Sequence, residues 1–232
     1  QSGRRSPPIR AARGKARLGA VIFGSDQGLI GKFNEQVALY AVEKMNEIEH
    51  EERVALAVGA RVVDRLEASG LKVDSHFSFS GSLAGITQVM LDVLLKVEDW
   101  REKSTDQIVL FYNRQASGAS FSPHMAYLYP LDGQWLGKIT ERKWPCRTIP
   151  TCSMDREQIF SSLVREYIFF SLYRAFVESL VSENSSRLLS MQMAEKNIEE
   201  HLGELTVQLH RQRQDAITSE LLDVVTGFEA LE

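Results

Sequence analysis

From Asp155 to Glu232 the chain runs for 78 residues without a proline, and its only glycines there are Gly203 and Gly227. Proline in a helix interior costs about 3 kcal/mol, so so long a proline-free stretch predicts one long helix, or two helices meeting near Ser182 to Ser186. In the second half, apolar residues fall at Ile198, Leu202, Leu205, Leu209 and Ala216, stepping by four and three until a polar Gln212 interrupts them. After a phase shift they resume at Ile217, Leu221, Val224, Phe228 and Leu231. This pattern is a coiled-coil seam whose register breaks inside residues 211–215. At 1.5 Å per residue a continuous helix of this length would span about 117 Å, while a domain of roughly 150 residues has a radius of gyration near 15 Å. The expectation is a helix that leaves its domain. Each exposed Leu or Ile forgoes about 1.5 to 3 kcal/mol of burial, so the seam calls for a partner, and no second heptad segment in the chain supplies one.

Ahead of this stretch the pattern alternates. Leu18 to Phe23 reads as a strand, residues 24–28 as a glycine turn, and Asn34 to Ile48 as a helix with apolar Val37, Leu39, Tyr40, Val42, Met45 and Ile48. Arg53 to Val58 is then a strand, Gly59 to Ser69 a helix, Lys72 to Phe79 a strand, Ile86 to Arg101 a helix and Gln107 to Asn113 a strand. His124 to Leu131 adds one more strand, expected as an antiparallel edge with Pro130 at its end. Alternation at this spacing predicts an α/β fold: a doubly wound, mostly parallel, Rossmann-like sheet over 18–150, followed by the long coiled-coil helix over 155–232. Residues 1–17 read as a flexible basic linker, with Arg4, Arg5, Arg10, Arg13, Lys15 and Arg17 and no acidic residue.

With 44% apolar and 25% charged residues, the composition excludes disordered, collagenous and disulfide-knot classes. The net charge of -4 gives no reason to expect nucleic acid as a partner. That sum hides a polarity: against the basic start, residues 155–232 hold 14 acidic and 7 basic side chains. Two cysteines make no secreted disulfide framework, and no stretch resembles a signal peptide, so a cytoplasmic or matrix-like compartment is expected. The apolar segment Leu163 to Val181 contains Arg165, Glu166, Arg174 and Glu178. At about 2.5 to 3.5 kcal/mol per charge near a bilayer midplane, it is not a membrane span.

The turn Gly24-Ser25-Asp26-Gln27-Gly28-Leu29-Ile30-Gly31-Lys32 sits between strand and helix, where a nucleotide-binding loop would lie. It lacks the glycine that both phosphate-binding patterns need at Asp26, and Phe33 stands where a phosphate loop has Ser or Thr. A tight structural turn is expected. His50, His76, His124, His201 and His210 are scattered, and Cys146 and Cys152 have only Arg147 nearby to lower a thiol pKa. Catalysis by this chain alone is therefore not expected. The five residues between the two cysteines permit a loop disulfide, but two unlinked thiols are the preferred reading.

Residues Gly24 to Asn34 resemble the SDxGLCGxxN signature of the gamma subunit of F-type ATP synthases. The run from Ser182 through Arg187 and Met191 to Asn197, and then Arg213-Gln214, Ile217-Thr218, Glu220-Leu221, Val225 and Gly227, are similar to that family's SExxxRxxxMxxAxxN and RQxxITxELxEIVxGA. The likeness covers residues 18–232. Ile30 replaces the family's common Cys, and Gln212, Asp215 and Phe228 are local departures. The resemblance implies a non-catalytic, cofactor-free rotor shaft that couples ion-driven rotation of a membrane ring of c subunits to ATP synthesis or hydrolysis in a hexamer of alpha and beta subunits. The epsilon subunit would be a further partner. It also implies a helix ahead of Arg4, which these residues do not contain, pairing antiparallel with the long helix. By the same likeness, Arg187, Arg213, Gln214, Thr218 and Glu220 would meet the alpha and beta subunits. Val224, Val225 and Phe228, with Leu231, form an apolar tip suited to a bearing. The location would be peripheral, on the cytoplasmic, matrix or stromal face of an energy-transducing membrane. Chloroplast members carry a regulatory dithiol of similar spacing, but its surrounding insertion is not recognisable around Cys146 and Cys152. The alternatives are a free-standing nucleotide-binding α/β protein with a coiled-coil tail and a simple coiled-coil scaffold.

Overall fold

Strand β1 (Arg17–Phe23) is apolar on both faces, which fits only the middle of a sheet covered on both sides. The computed structural model places it there. Residues 17–79, 83–103, 105–116, 120–131, 148 and 155–229 are described. The elements run β1, α1 (Phe33–Glu47), β2 (Glu52–Val58), α2 (Ala60–Ala68), β3 (Ser75–Phe77), α3 (Leu83–Glu102), β4 (Gln107–Gln115), β5 (Phe121–Tyr129) and α4 (Arg156–Glu229). The sheet order is β3-β2-β1-β4-β5. The pairs β3-β2, β2-β1 and β1-β4 are parallel, while β4-β5 is antiparallel. This is the doubly wound sheet with an antiparallel edge that the alternation predicts. The order in which the chain adds strands reverses between β1 and β4.

Two strands differ in extent from expectation. β3 spans three residues rather than Lys72 to Phe79, because Asp74 takes over the ladder with its side chain: its N–H donates to Ala55 O and its carboxylate accepts from Ala55 N at 2.7 Å. β5 starts at Phe121 rather than His124 and contains Pro123. A proline that cannot donate is tolerated at the sheet edge, where this strand lies.

Alternate residues of each central strand feed two cores. Leu18, Ala20 and Ile22 of β1 pack with Val37, Ala41 and Met45 of α1 and Val62 and Leu66 of α2. On the other face, Val21 and Phe23 join Met90, Val93, Val97 and Trp100 of α3 and Val164, Ile168, Leu172, Ala175 and Phe176 of α4. The long C-terminal helix thus begins as a wall of the domain.

The polar run Ser182 to Ser186 does not break α4, which is one helix. Ser182 Oγ donates to Glu178 O at 2.8 Å and Asn184 Nδ2 to Leu180 O at 3.0 Å, both within the helix. By contact clustering the chain divides into two units, Gln1–Arg187 and Leu188–Glu232. Among the described residues no helix is long and apolar enough to cross a membrane.

Phe176 sits 5.9 Å from the Phe23 ring and 5.1 Å, edge on, from the Phe79 ring. Phe176→Ala should lower the urea-unfolding free energy by about 3 to 5 kcal/mol. Leu39→Ala, at a position 55% exposed, should change it by less than about 0.5 kcal/mol.

Candidate functional site

The glycine turn after β1 is closed by its own polar side chains. Asn34 Oδ1 accepts from Ser25 N at 3.0 Å, Asn34 Nδ2 donates to Ser25 Oγ at 2.9 Å, and Ser25 Oγ donates to Gln27 O at 2.9 Å. Asp26 then ties the turn to two other segments: Oδ1 accepts from Ala60 N at 2.8 Å, at the start of α2, and Oδ2 from Phe79 N at 2.6 Å. Arg61 N donates to Ser25 O at 3.0 Å. A phosphate at the start of α2 would need the helix N–H groups that this carboxylate and the Ser25 carbonyl already occupy.

The glycines serve close packing. A Cβ on Gly24 would lie 2.3 Å from Val62 Cβ, and one on Gly59 would lie 2.7 Å from Ser25 N. Gly59 also holds φ at 106°, a left-handed backbone that side chains rarely adopt.

The far side of the same turn is held by α4. The buried Ser186 Oγ donates to Ile30 O at 3.1 Å. Arg187 Nε donates to Gly28 O at 3.5 Å, Nη1 to Asn184 Oδ1 at 3.0 Å, and Nη2 to Glu183 Oε1. From the third side, the buried Asn113 on β4 donates from Nδ2 to Phe33 O at 3.0 Å. A cleft of about 370 Å³ opens here, lined by Asp26, Phe79, Phe176, Leu180, Glu183 and Arg187 among others. Burial pushes the Glu183 carboxyl above its ordinary pKa of 4.5; Arg187 opposes that rise and Asp26 adds to it.

Of the residues singled out from sequence, Arg187 belongs to the first unit and lies in this cluster, its side chain 17% exposed. The others lie on α4 in the second unit. Arg213, Gln214, Thr218, Glu220, Val224 and Val225 are all exposed. Phe228 is helical, but its side chain lies outside the described residues, as do Cys146 and Cys152. At about 100° per residue, Arg213, Glu220 and Val224 share one flank of the helix and Gln214, Thr218 and Val225 the other, with Ile217 and Leu221 between them. Thr218 Oγ1 donates to Gln214 O at 2.8 Å, so toward a partner its hydroxyl can only accept. The seam residues Ile198, Leu202, Leu205, Leu209, Ile217 and Leu221 are each more than half exposed.

Sequence reasoning missed two features. One is the grip of Ser186 and Arg187 on the turn; only the four-residue spacing of Glu183 and Arg187 hinted at it. The other is the exposed set Phe160, Leu163, Tyr167 and Phe170 in the first unit. Its steps of three and four match the seam period.

A family model described as ATP synthase matches residues 1–231. The chain belongs to the ATP synthase family. Its relatives within that family are gamma chains. That of Dechloromonas aromatica is 27% identical over 226 residues, covering 97% of this chain and 77% of that protein. That of Azoarcus sp. is 28% identical over 218 residues, covering 93% and 74%. Among solved structures, a chain of the Euglena gracilis mitochondrial ATP synthase OSCP/F1/c-ring assembly in rotational state 3 superposes with a TM-score of 0.69 at 18% identity, covering 94% of this chain and 73% of that one. A chain of the Tetrahymena thermophila mitochondrial ATP synthase central stalk and c-ring gives 0.59 at 19%, covering 81% and 80%. At these identities the structural likeness speaks for the fold alone, which this chain shares with those chains of the ATP synthase assemblies.

Because the Glu183 carboxyl is raised in the folded chain, its protonation favours folding: the contribution is full below about pH 4.5 and is lost as pH rises through the native value. Glu183→Gln removes that titration. Melting curves recorded from about pH 4 to about pH 7 should show the variant's stability relative to the parent improving as pH rises.

Proposed function

We propose that the chain is the central-stalk rotor of an F-type ATP synthase, a non-catalytic shaft that couples rotation of a membrane ring to ATP synthesis or hydrolysis in the alpha and beta hexamer. The observation that carries this reading is the exposed apolar seam of α4 with polar residues on both flanks, in a chain that belongs to the ATP synthase family. Three like catalytic subunits around an axis are equivalent by symmetry, and only an asymmetric object on the axis can make their conformations differ. Each site's equilibrium among states then shifts by no more than the difference in contact free energy that the shaft offers those states.

The contacts proposed for the hexamer are Arg213 and Glu220 on one flank, Gln214 and Thr218 on the other, and Val224, Val225 and Phe228 toward the tip. Arg213, Gln214 and Glu220 make no side-chain hydrogen bond or ion pair among the described residues, so their groups are free for a partner. Arg187, also expected at the hexamer, already spends all three of its nitrogens inside its own unit. The first unit would sit on the c ring with the epsilon subunit, peripheral to the membrane on the face that carries the hexamer. Asp26 supports the absence of a nucleotide site, since it puts a carboxylate where a phosphate would bind.

Gln214→Ala combined with Thr218→Ala should leave assembly with alpha and beta subunits intact and lower ATPase turnover of the complex by about 2- to 10-fold, as expected for hydrogen bonds worth about 0.5 to 1.5 kcal/mol. Unchanged turnover removes both residues from the coupling contacts. Calorimetry of the chain with ATP or ADP should register no binding; micromolar affinity would favour the free-standing nucleotide-binding protein instead.

A further inference from the structure

The rotor reading, on which this inference rests, places a demand on the first unit that apolar packing alone does not meet. Val164, Ile168, Leu172, Ala175 and Phe176 seal α4 against the sheet, but hydrophobic contact is non-directional and resists slip about the helix axis poorly. Hydrogen bonds supply direction.

Where α4 meets the glycine turn, Ser186 donates to Ile30 O in a buried bond of 3.1 Å and Arg187 reaches Gly28 O in an exposed contact of 3.5 Å, partners 156 and 159 residues away in sequence. Both acceptors are backbone carbonyls, so the helix holds the chain itself rather than a side chain that could rotate away. The turn is pinned in its own right, by Asp26 to the start of α2 and to Phe79, two residues past β3, and by Asn113 at the start of α1. Glu183 and Asn184 each hold one end of the Arg187 guanidinium and so fix its aim at Gly28. Ser186 is buried, which shields its bond from competing water.

We propose that Ser186 and Arg187, with Glu183 acting through Arg187, are positioning residues forming a torsion lock: they stop α4 from turning against the sheet, so that torque on the domain enters the helix. Nearby ties do not substitute for this lock. The Arg165–Glu98 pair at 3.1 Å joins α4 to α3 and the Arg114–Glu178 pair at 3.6 Å joins it to β4, but both are exposed on the arginine side and screened by solvent.

The test uses the complete ring-bearing complex in ion-tight vesicles, together with its ring-free alpha and beta assembly carrying the same chain. Loss of one buried hydrogen bond shifts a closed-to-open equilibrium by about fivefold. Ser186→Ala combined with Arg187→Ala should therefore lower ions transported per ATP hydrolysed by about twofold or more, while ring-free ATPase turnover, which places no load on the lock, stays at the parental value. Arg187→Lys, which keeps the charge, should recover part of the ratio, and Arg165→Ala should leave it unchanged. If the double variant fails to assemble, Ser186→Ala alone, which removes one hydroxyl, is read by the same ratio. A parental ratio in the variant, or a ring-free turnover that falls in step with transport, overturns the lock. Failure of the parent chain itself to support transport overturns the rotor reading and the lock together. A working parent with an unchanged variant ratio overturns the lock alone.

Discussion

β1 is buried on both faces, and that constraint orders the rest of the first unit. One face draws in α1 and α2; the other is covered by α3 and the first third of α4. α4 consequently changes character along its length. Through Phe176 it presents a buried stripe with steps of four, four, three and one; beyond Ser186 none of its described residues is buried. A helix that ended near Ser186 would satisfy the sheet completely. Everything after it needs another reason to be helical and apolar in a seam, because isolated helices draw most of their stability from a packed face.

The glycine turn solves a related problem. The part-buried N–H of Phe79, just past β3, would cost roughly 1 to 3 kcal/mol without an acceptor, and the exposed N–H of Ala60 opens α2. One carboxylate, Asp26, satisfies both. The same choice occupies an N–H group at the start of α2 that an anion would otherwise meet. The turn keeps the place and the glycines of a ligand loop, while the Asp26 carboxylate is used as an acceptor that joins it to two other segments of the fold.

Much of the fold was readable from sequence for one reason: strands buried on both faces are continuous apolar runs, and β1, β2 and β4 announce themselves that way. β3 also reads as a strand, over Lys72 to Phe79, but is shorter, because at Asp74 a side chain stands in for the backbone ladder and leaves no period by which to place its start. The seam was readable in 198–231 because little else there competes for apolar residues. Phe160, Leu163, Tyr167 and Phe170 share its period but stand among the buried residues of the same helix, so two interleaved stripes blurred the pattern. Within the candidate site, the flanking residues Arg213 to Val225 followed from a local motif. The grip of Ser186 and Arg187 on Ile30 and Gly28 joins positions more than 150 residues apart, and no local rule carries such information.

The two sets of polar contacts differ in the way a shaft requires. On the outer part of α4 the polar groups are exposed, and the hydrogen bonds proposed for them with the hexamer would be worth about 0.5 to 1.5 kcal/mol apiece, little enough to be exchanged at every third of a turn. A buried ion pair in that position would cost about 3 to 5 kcal/mol to break and would hold the shaft in one orientation. Inside the first unit the demand is the opposite. There the chain places its buried serine, its sequestered arginine and a desolvated carboxylate, contacts whose rupture leaves unsatisfied groups behind. On the proposed lock, one buried serine bond and a partly buried arginine–glutamate pair hold the helix where it must not turn, and exposed groups serve where it must, a division of labour within a single helix. The boundary between them falls at Arg187, where the first unit ends.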